Sequence, residues 1–195
     1  SRKIIAPYIE ENTSLKIGKD IFLAFTPERT VEGNAINELS SLPQIVGGFS
    51  KNCTEKARSF WSNLSKAIIE VDGLEAAEMV KLINNTFRDV SFAFANEVAL
   101  KCDEYNINSF DLISAANKGY PRNKISLPSP GVGGYCLTKD PVLFYQNNKN
   151  DFFSIAKAGR LINEKMISYP FQHLKRFASS KKIKIKNLKV LFLGI

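Results

Sequence analysis

With 195 residues, 44% hydrophobic and 24% charged, the chain can bury a substantial core, in one domain or parts of two, and falls in the soluble globular class. No apolar run approaches the roughly 20 residues that cross a bilayer; the longest, near 90–100, is broken by Asn96 and Glu97, which sets a membrane partner aside. The net charge of +8 is uneven: residues 175–189 hold seven bases and no acid, removing those seven leaves +1, and a basic run with a single aromatic, Phe177, rather than a series of interleaved stacking aromatics argues against nucleic acid as a partner.

The sequence opens Ser1-Arg2-Lys3-Ile4-Ile5, with no initiator Met and too short an apolar stretch for a secretory signal, so it reads as cut from a longer chain. Ile21 to Phe25 is a buried-strand run, and Thr26-Pro27 leads into a loop through Gly33, at the strand's carboxyl end where open α/β sheets bind ligands. Ile45 to Gly48 reads as a second strand, Thr54 to Ser65 as a helix capped by Thr54, and Ala67 to Val71 as a third strand, the cadence of a parallel sheet with crossover helices. After Asp72-Gly73 the pattern becomes helical, first over about 74–105, where Val80, Ile83, Phe87, Val90, Phe94 and Val98 form an apolar stripe read as packing. A shorter helix is expected at 109–117, a Pro- and Gly-rich loop at 119–140, helices over 141–179, and a buried strand over 185–195 that ends near Gly194 and would open a nucleotide-binding domain.

Within the loop, Pro128 to Asp140 is the most specific segment. Glycines there let backbone amides approach an anion or a developing oxyanion, Cys136 follows them directly, and Lys139 offers a cation three residues on. The alternative is a Gly-rich turn with Cys136 as a small apolar filler. On the long helix, Glu78, Lys81 and Asn85 share a face at offsets of three and four; Lys81 and Asn85 could hold an oxygen between them, or Glu78 and Lys81 form a solvated pair. Glu28 and Glu32 are acids for general base or water-positioning work, unless Glu28 only pairs with Arg29. The single histidine, His173, lies far from these motifs, which disfavours Ser-His-Asp and Cys-His mechanisms, and no metal-ligand spacing occurs. Cys53 and Cys102 fall in helical patterns that suit buried packing, and the odd count of cysteines argues for a reducing cytoplasmic location.

In this order, Pro27-Glu28-Arg29-Thr30-Val31-Glu32-Gly33, the Lys81 to Asn85 helix with Asn96-Glu97, and Gly133-Gly134-Tyr135-Cys136-Leu137-Thr138-Lys139-Asp140 resemble the UDP-glucose/GDP-mannose dehydrogenase family over nearly the whole chain. The P-E-R loop with Leu42 to Gly48 is more similar to the branch acting on UDP-N-acetylhexosamines such as UDP-N-acetylmannosamine. The resemblance implies an α/β fold with a helical middle: 1–72 as the carboxyl-terminal part of an NAD-binding Rossmann-like domain, 73–180 as an all-α dimerisation and catalytic domain built on the long helix, and 181–195 as the first strand of a UDP-binding Rossmann-like domain. It implies NAD-dependent, four-electron oxidation of a sugar C6 hydroxyl to a carboxylate through a cysteine thioester, for polysaccharide or capsule synthesis. Cys136 would be the nucleophile, Lys81 and Asn85 would stabilise oxygen charge with Asp140 in support, and Glu28 would serve thioester hydrolysis. Glu32 and Lys139 would lie toward NAD, while the Gly133 amide and Arg122 would reach the UDP-sugar, Arg122 from across a homodimer. No G-x-G-x-x-G is present, so this chain alone is expected to be inactive. A UDP-glucose or GDP-mannose dehydrogenase, a catalytically dead helical dimer module and a polyanion binder through 175–189 are the competing readings.

Overall fold

The computed structural model describes residues 1–146 and 154–193. They form two compact units, 1–84 and 85–195, and the long helix contributes residues to both. The expected mixed architecture, mostly helical with a small sheet, is observed.

In the first unit α1 (Ile5–Asn12) precedes a sheet of three strands, β1 (Ala24–Phe25), β2 (Gln44–Gly48) and β3 (Ile68–Glu70), in the order β1-β2-β3. The helix α2 (Ala35–Ser41) lies between β1 and β2, and α3 (Lys51–Trp61) between β2 and β3. The sequence carries a helix signal only between β2 and β3, and that pair is parallel, with Ile45 opposite Ile69; β1 runs antiparallel to β2, with Ala24 opposite Gly48, which corrects the all-parallel expectation. The cap of α3 is Ser50, whose hydroxyl accepts the Cys53 N–H, rather than Thr54. Thr54 lies one turn inside, where its hydroxyl oxygen accepts the Gly48 N–H and so fastens the helix to the end of β2. Ile45, Val46, Cys53, Leu74 and Ala77 form the core of this unit.

The long helix α4 (Gly73–Glu104) matches its expected span to a residue at each end. Its apolar stripe packs only in part: Val80, Val90 and Val98 are half-buried, but Phe87 is 76% exposed, and Ile83 and Phe94 are exposed too. The buried positions of α4 in the second unit are small or polar, namely Asn85, Thr86, Asp89, Ala93, Ala95, Asn96, Ala99 and Cys102. That face is covered by α7 (Ile155–Met166), which approaches where it carries Gly159; a Cβ there would come within 3.3 Å of Val90 and 3.4 Å of Ala93. Close approach of two helix backbones needs small residues on both sides, so the bulky stripe is left on the opposite face.

Helix α5 (Ser109–Asn117) is capped by Asn108, whose side chain accepts the Phe110 and Asp111 N–H groups. Asn117 then brackets Ile125, donating to its carbonyl and accepting its N–H at 2.8 Å each, which shapes the following loop. Helix α6 (Tyr135–Tyr145) begins earlier than the sequence suggests, so Cys136 to Asp140 are helical rather than loop. Helix α8 (Tyr169–Ser180) follows α7. The terminal segment departs from expectation: Ile185–Asn187 is a 3-10 turn, 188–193 has no regular structure, and Gly194 lies outside the described residues. A strand exists through its ladder, and among the described residues nothing pairs with 188–193, where Leu191 to Leu193 are exposed.

Candidate active site

In the first unit the loop after β1 holds Glu28 on the surface, and the Thr30 N–H and hydroxyl both donate to its Oε1. Lys81 on α4 places its ammonium 3.9 Å from the other oxygen, Oε2. The Thr30 hydroxyl above all, against a contribution from burial and with help from the Thr30 N–H and Lys81, holds the Glu28 carboxyl below its ordinary range. Arg29 does not pair with Glu28; its guanidinium donates to the Pro43 carbonyl. Nor does Glu78 pair with Lys81, whose ammonium faces Glu28. Glu32 is exposed at the end of the same loop.

In the second unit Asp140, 1% exposed, is the hub. Its Oδ2 accepts the Asn85 amide at 2.6 Å and its Oδ1 meets the Lys139 ammonium at 2.9 Å. The hydrogen bond to Asp140 raises the pKa of Lys139 above its ordinary value. Arg88 donates to Asn85 Oδ1 at 2.8 Å, fixing the amide's orientation and turning its N–H side toward Asp140. Cys136 is the second residue of α6 and is exposed, whereas Cys53 and Cys102 are buried. Gly134 caps α6 at φ +81°, a conformation that favours glycine, and brings the chain into the helix directly before the thiol. Open space surrounds the Gly133 Cα. Arg122 is exposed, its guanidinium 5.3 Å from the Tyr120 ring and 3.2 Å from the Tyr120 hydroxyl. Of the expected oxygen-holding set, Asn85 meets Asp140, but the cation on Asp140 is Lys139, the residue expected toward NAD, whereas Lys81 meets Glu28.

Sequence reasoning missed a buried polar cluster: Asp89 and Asn96 on α4 with Arg160 and Asn163 on α7. Its only trace in the sequence is a polar series on α4, Asn85, Asp89 and Asn96, at offsets of four and seven. His173 lies in α8 beside Tyr169 and lines an open cavity of about 400 Å³ with Phe110, Pro128 and Met166, among residues that do not include Cys136. Within the basic run, Arg176 is tied to Asp103 at 2.7 Å. Among the described residues no group of three or more His, Cys, Asp or Glu side chains is placed to hold a metal, and no helix is long and apolar enough to cross a membrane.

Residues 75–165 match the model of the UDP-glucose/GDP-mannose dehydrogenase family, central domain. A UDP-N-acetyl-D-mannosamine dehydrogenase of Pyrococcus horikoshii is 41% identical over 165 residues, covering 85% of this chain and 39% of that protein. One from Methanococcus maripaludis is 35% identical over 195 residues, covering 98% of this chain and 44% of its own length. The solved structure of the UDP-D-ManNAc dehydrogenase of Pyrococcus horikoshii superposes with a TM-score of 0.86 at 38% identity, covering 93% of this chain and 43% of that one. The chain thus spans about two fifths of the length of the curated relatives it matches. Fold and sequence likeness together define the class, that of proteins whose relatives are nucleotide-sugar dehydrogenases. Within that class the chain belongs to the UDP-glucose/GDP-mannose dehydrogenase family, whose central domain it carries.

Proposed function

We propose that this chain is the middle of an NAD-dependent UDP-N-acetylhexosamine 6-dehydrogenase, acting on UDP-N-acetylmannosamine in preference to UDP-glucose or GDP-mannose and supplying a uronic acid for polysaccharide synthesis. The observation that carries the reading is the exposed Cys136 in the first turn of α6, four residues before an Asp140 that is buried and bonded to Asn85 and Lys139. The names of the relatives supply the substrate class.

Residue roles follow from the chemistry. Oxidising an alcohol at C6 requires a donor for the oxygen as charge develops, and Lys81 and Asn85, four residues apart on α4, supply a cation and an amide N–H. The aldehyde carries no further hydride to give until a nucleophile adds to it. Cys136 adds as its thiolate, forming a thiohemiacetal whose C–H can then leave as hydride, and the product is a thioester. Water attacks that thioester, the C–S bond breaks, and the carboxylate and the Cys136 thiol are released. Glu28, held below its ordinary range and so a carboxylate at neutral pH, guides or deprotonates the water, its lowered pKa favouring the guiding role. Asp140 supports Asn85 and holds Lys139 beside the thiol-bearing turn. Glu32 is exposed on a loop at a strand's carboxyl end and Lys139 is exposed on α6, and these residues would lie toward the nicotinamide cofactor; two NAD, bound in succession, would each take up one of the two hydrides. Arg122 and the Gly133 amide, both with open surroundings, suit the diphosphate and sugar of a UDP-sugar.

Turnover of UDP-N-acetylmannosamine, UDP-glucose and GDP-mannose by the full-length protein tests the reading. Two NADH per UDP-N-acetylmannosamine, loss of acid formation in Cys136→Ser and a lower kcat/KM for the other sugars are expected. Equal use of all three sugars would remove the branch assignment, and an unaffected Cys136→Ser would remove the mechanism.

A further inference from the structure

Arg160 on α7 is 4% exposed and is not a member of any site motif, yet its Nη1 reaches three oxygens. It lies 2.7 Å from Asp89 Oδ1 on α4, and 3.3 Å from both the Val132 carbonyl and the Leu137 carbonyl. These two carbonyls bracket Cys136, one on each side. The Leu137 carbonyl is open to Arg160 for a reason written in the sequence. In an α-helix it would accept the N–H of the residue four positions on, and in α6 that residue is Pro141, which has none.

Asn163, one turn beyond Arg160, donates to the Asp89 carboxylate at 2.9 Å and to the Asp89 carbonyl at 3.0 Å, and accepts the Asn96 amide at 2.9 Å. Asn96 in turn accepts the Ser129 N–H at 2.8 Å. Ser129, Val132 and Leu137 are thus three backbone points around the thiol, each tied to a buried side chain of α4 or α7. Burial makes such bonds costly to break, since each loss strands a polar group out of water. Carriage on two helices makes the anchor rigid.

We propose that Arg160 is a positioning residue for Cys136: held by Asp89, it takes the carbonyl that Pro141 leaves open and so fixes the first turn of α6 from which the thiol projects. The proposal rests on Cys136 being the nucleophile. Its structural half stands apart from that reading.

Hydrogen exchange of the chain, followed by mass spectrometry, tests that half with Arg160→Met, Arg160→Lys, Pro141→Ala and the Arg160→Met/Pro141→Ala double variant. Arg160→Met is expected to speed exchange at 138–142, the first bonded amides of α6, by about tenfold or more while α5 and α8 keep their protection. Arg160→Lys, which retains a cation for Asp89 and the carbonyls, restores part of it. Pro141→Ala gives Leu137 a helical donor, so the effect of Arg160→Met shrinks in the double variant. Loss of protection throughout 85–193, or the same effect with and without Pro141, overturns the proposal. If Arg160→Met does not fold, Arg160→Lys with and without Pro141→Ala makes the same comparison. In the full-length protein Arg160→Lys is expected to lower kcat with little change in KM, and an unchanged kcat overturns the link to catalysis. Cys136→Ser leaves exchange at 138–142 as it is, and acid formation by that variant would refute the nucleophile while the clamp stands.

Discussion

Asp140 and Glu28 are both acids beside a lysine, and burial separates their consequences. The Asp140 carboxylate is almost wholly out of water, with one oxygen on the buried Asn85 amide and the other on Lys139. Asp140→Ala strands the Asn85 amide and is expected to cost about 1–3 kcal/mol in chemical denaturation. Glu28 is on the surface, 3.9 Å from Lys81, in high dielectric where such pairs contribute little. Glu28→Ala is expected to shift stability by less than about 0.5 kcal/mol while slowing thioester hydrolysis. Equal losses from the two substitutions would contradict the burial assignment. Position in sequence shows the acid, amide and lysine of this site, because local motifs carry them. It does not show that Lys139 is engaged by Asp140 rather than turned to Cys136, since that depends on which side of α6 is covered.

At the level of elements, Asp103 near the end of α4 joins α8 through the Tyr169 hydroxyl and Arg176. Burial alone would push the Asp103 carboxyl up, but the hydrogen bonds from Tyr169 and Arg176 outweigh it and leave it below its ordinary range. A carboxyl lowered in the folded state contributes stability above its unfolded value, near 4, and loses it as the pH falls through the folded value. The thermal midpoint of the chain is therefore expected to decline below about pH 4, and more shallowly in Asp103→Asn. A variant with the same acid slope as the parent would show that Asp103 contributes nothing to the docking of α8. Helix periods made α4 and α5 legible to within a residue, and the short apolar runs located β2 and β3. The start of α6 was hidden because its first turn has little apolar periodicity and Pro141 imitates a helix beginning. The Asp89, Arg160 and Asn163 cluster was hidden more deeply: partners more than seventy residues apart meet only through the packing of α7 on α4.

For the whole molecule, the exposed apolar face of α4 decides what the chain does in solution. Phe87 and Phe94, seven residues apart and so on one helical face, are 76% and 53% exposed. Fully burying a phenylalanine is worth roughly 1.5–3 kcal/mol, and a two-fold contact would bury each of them twice, once per copy. The polar and small residues of α4 face α7, and Phe87 and Phe94 stay exposed. A homodimer through α4, the partner expected from family resemblance, would cover them. Sedimentation velocity of the chain is expected to give a dimer, and Phe87→Arg with Phe94→Arg a folded monomer with unchanged helix content. A monomeric parent would assign the stripe to some other partner, and a dimer unmoved by the two substitutions would place the interface elsewhere. Because Asp89 and Asn96 lie on the face turned to α7, the monomeric variant is expected to keep its exchange protection at 138–142. Assembly and the setting of Cys136 thus become separable on one helix, by substituting one face or the other.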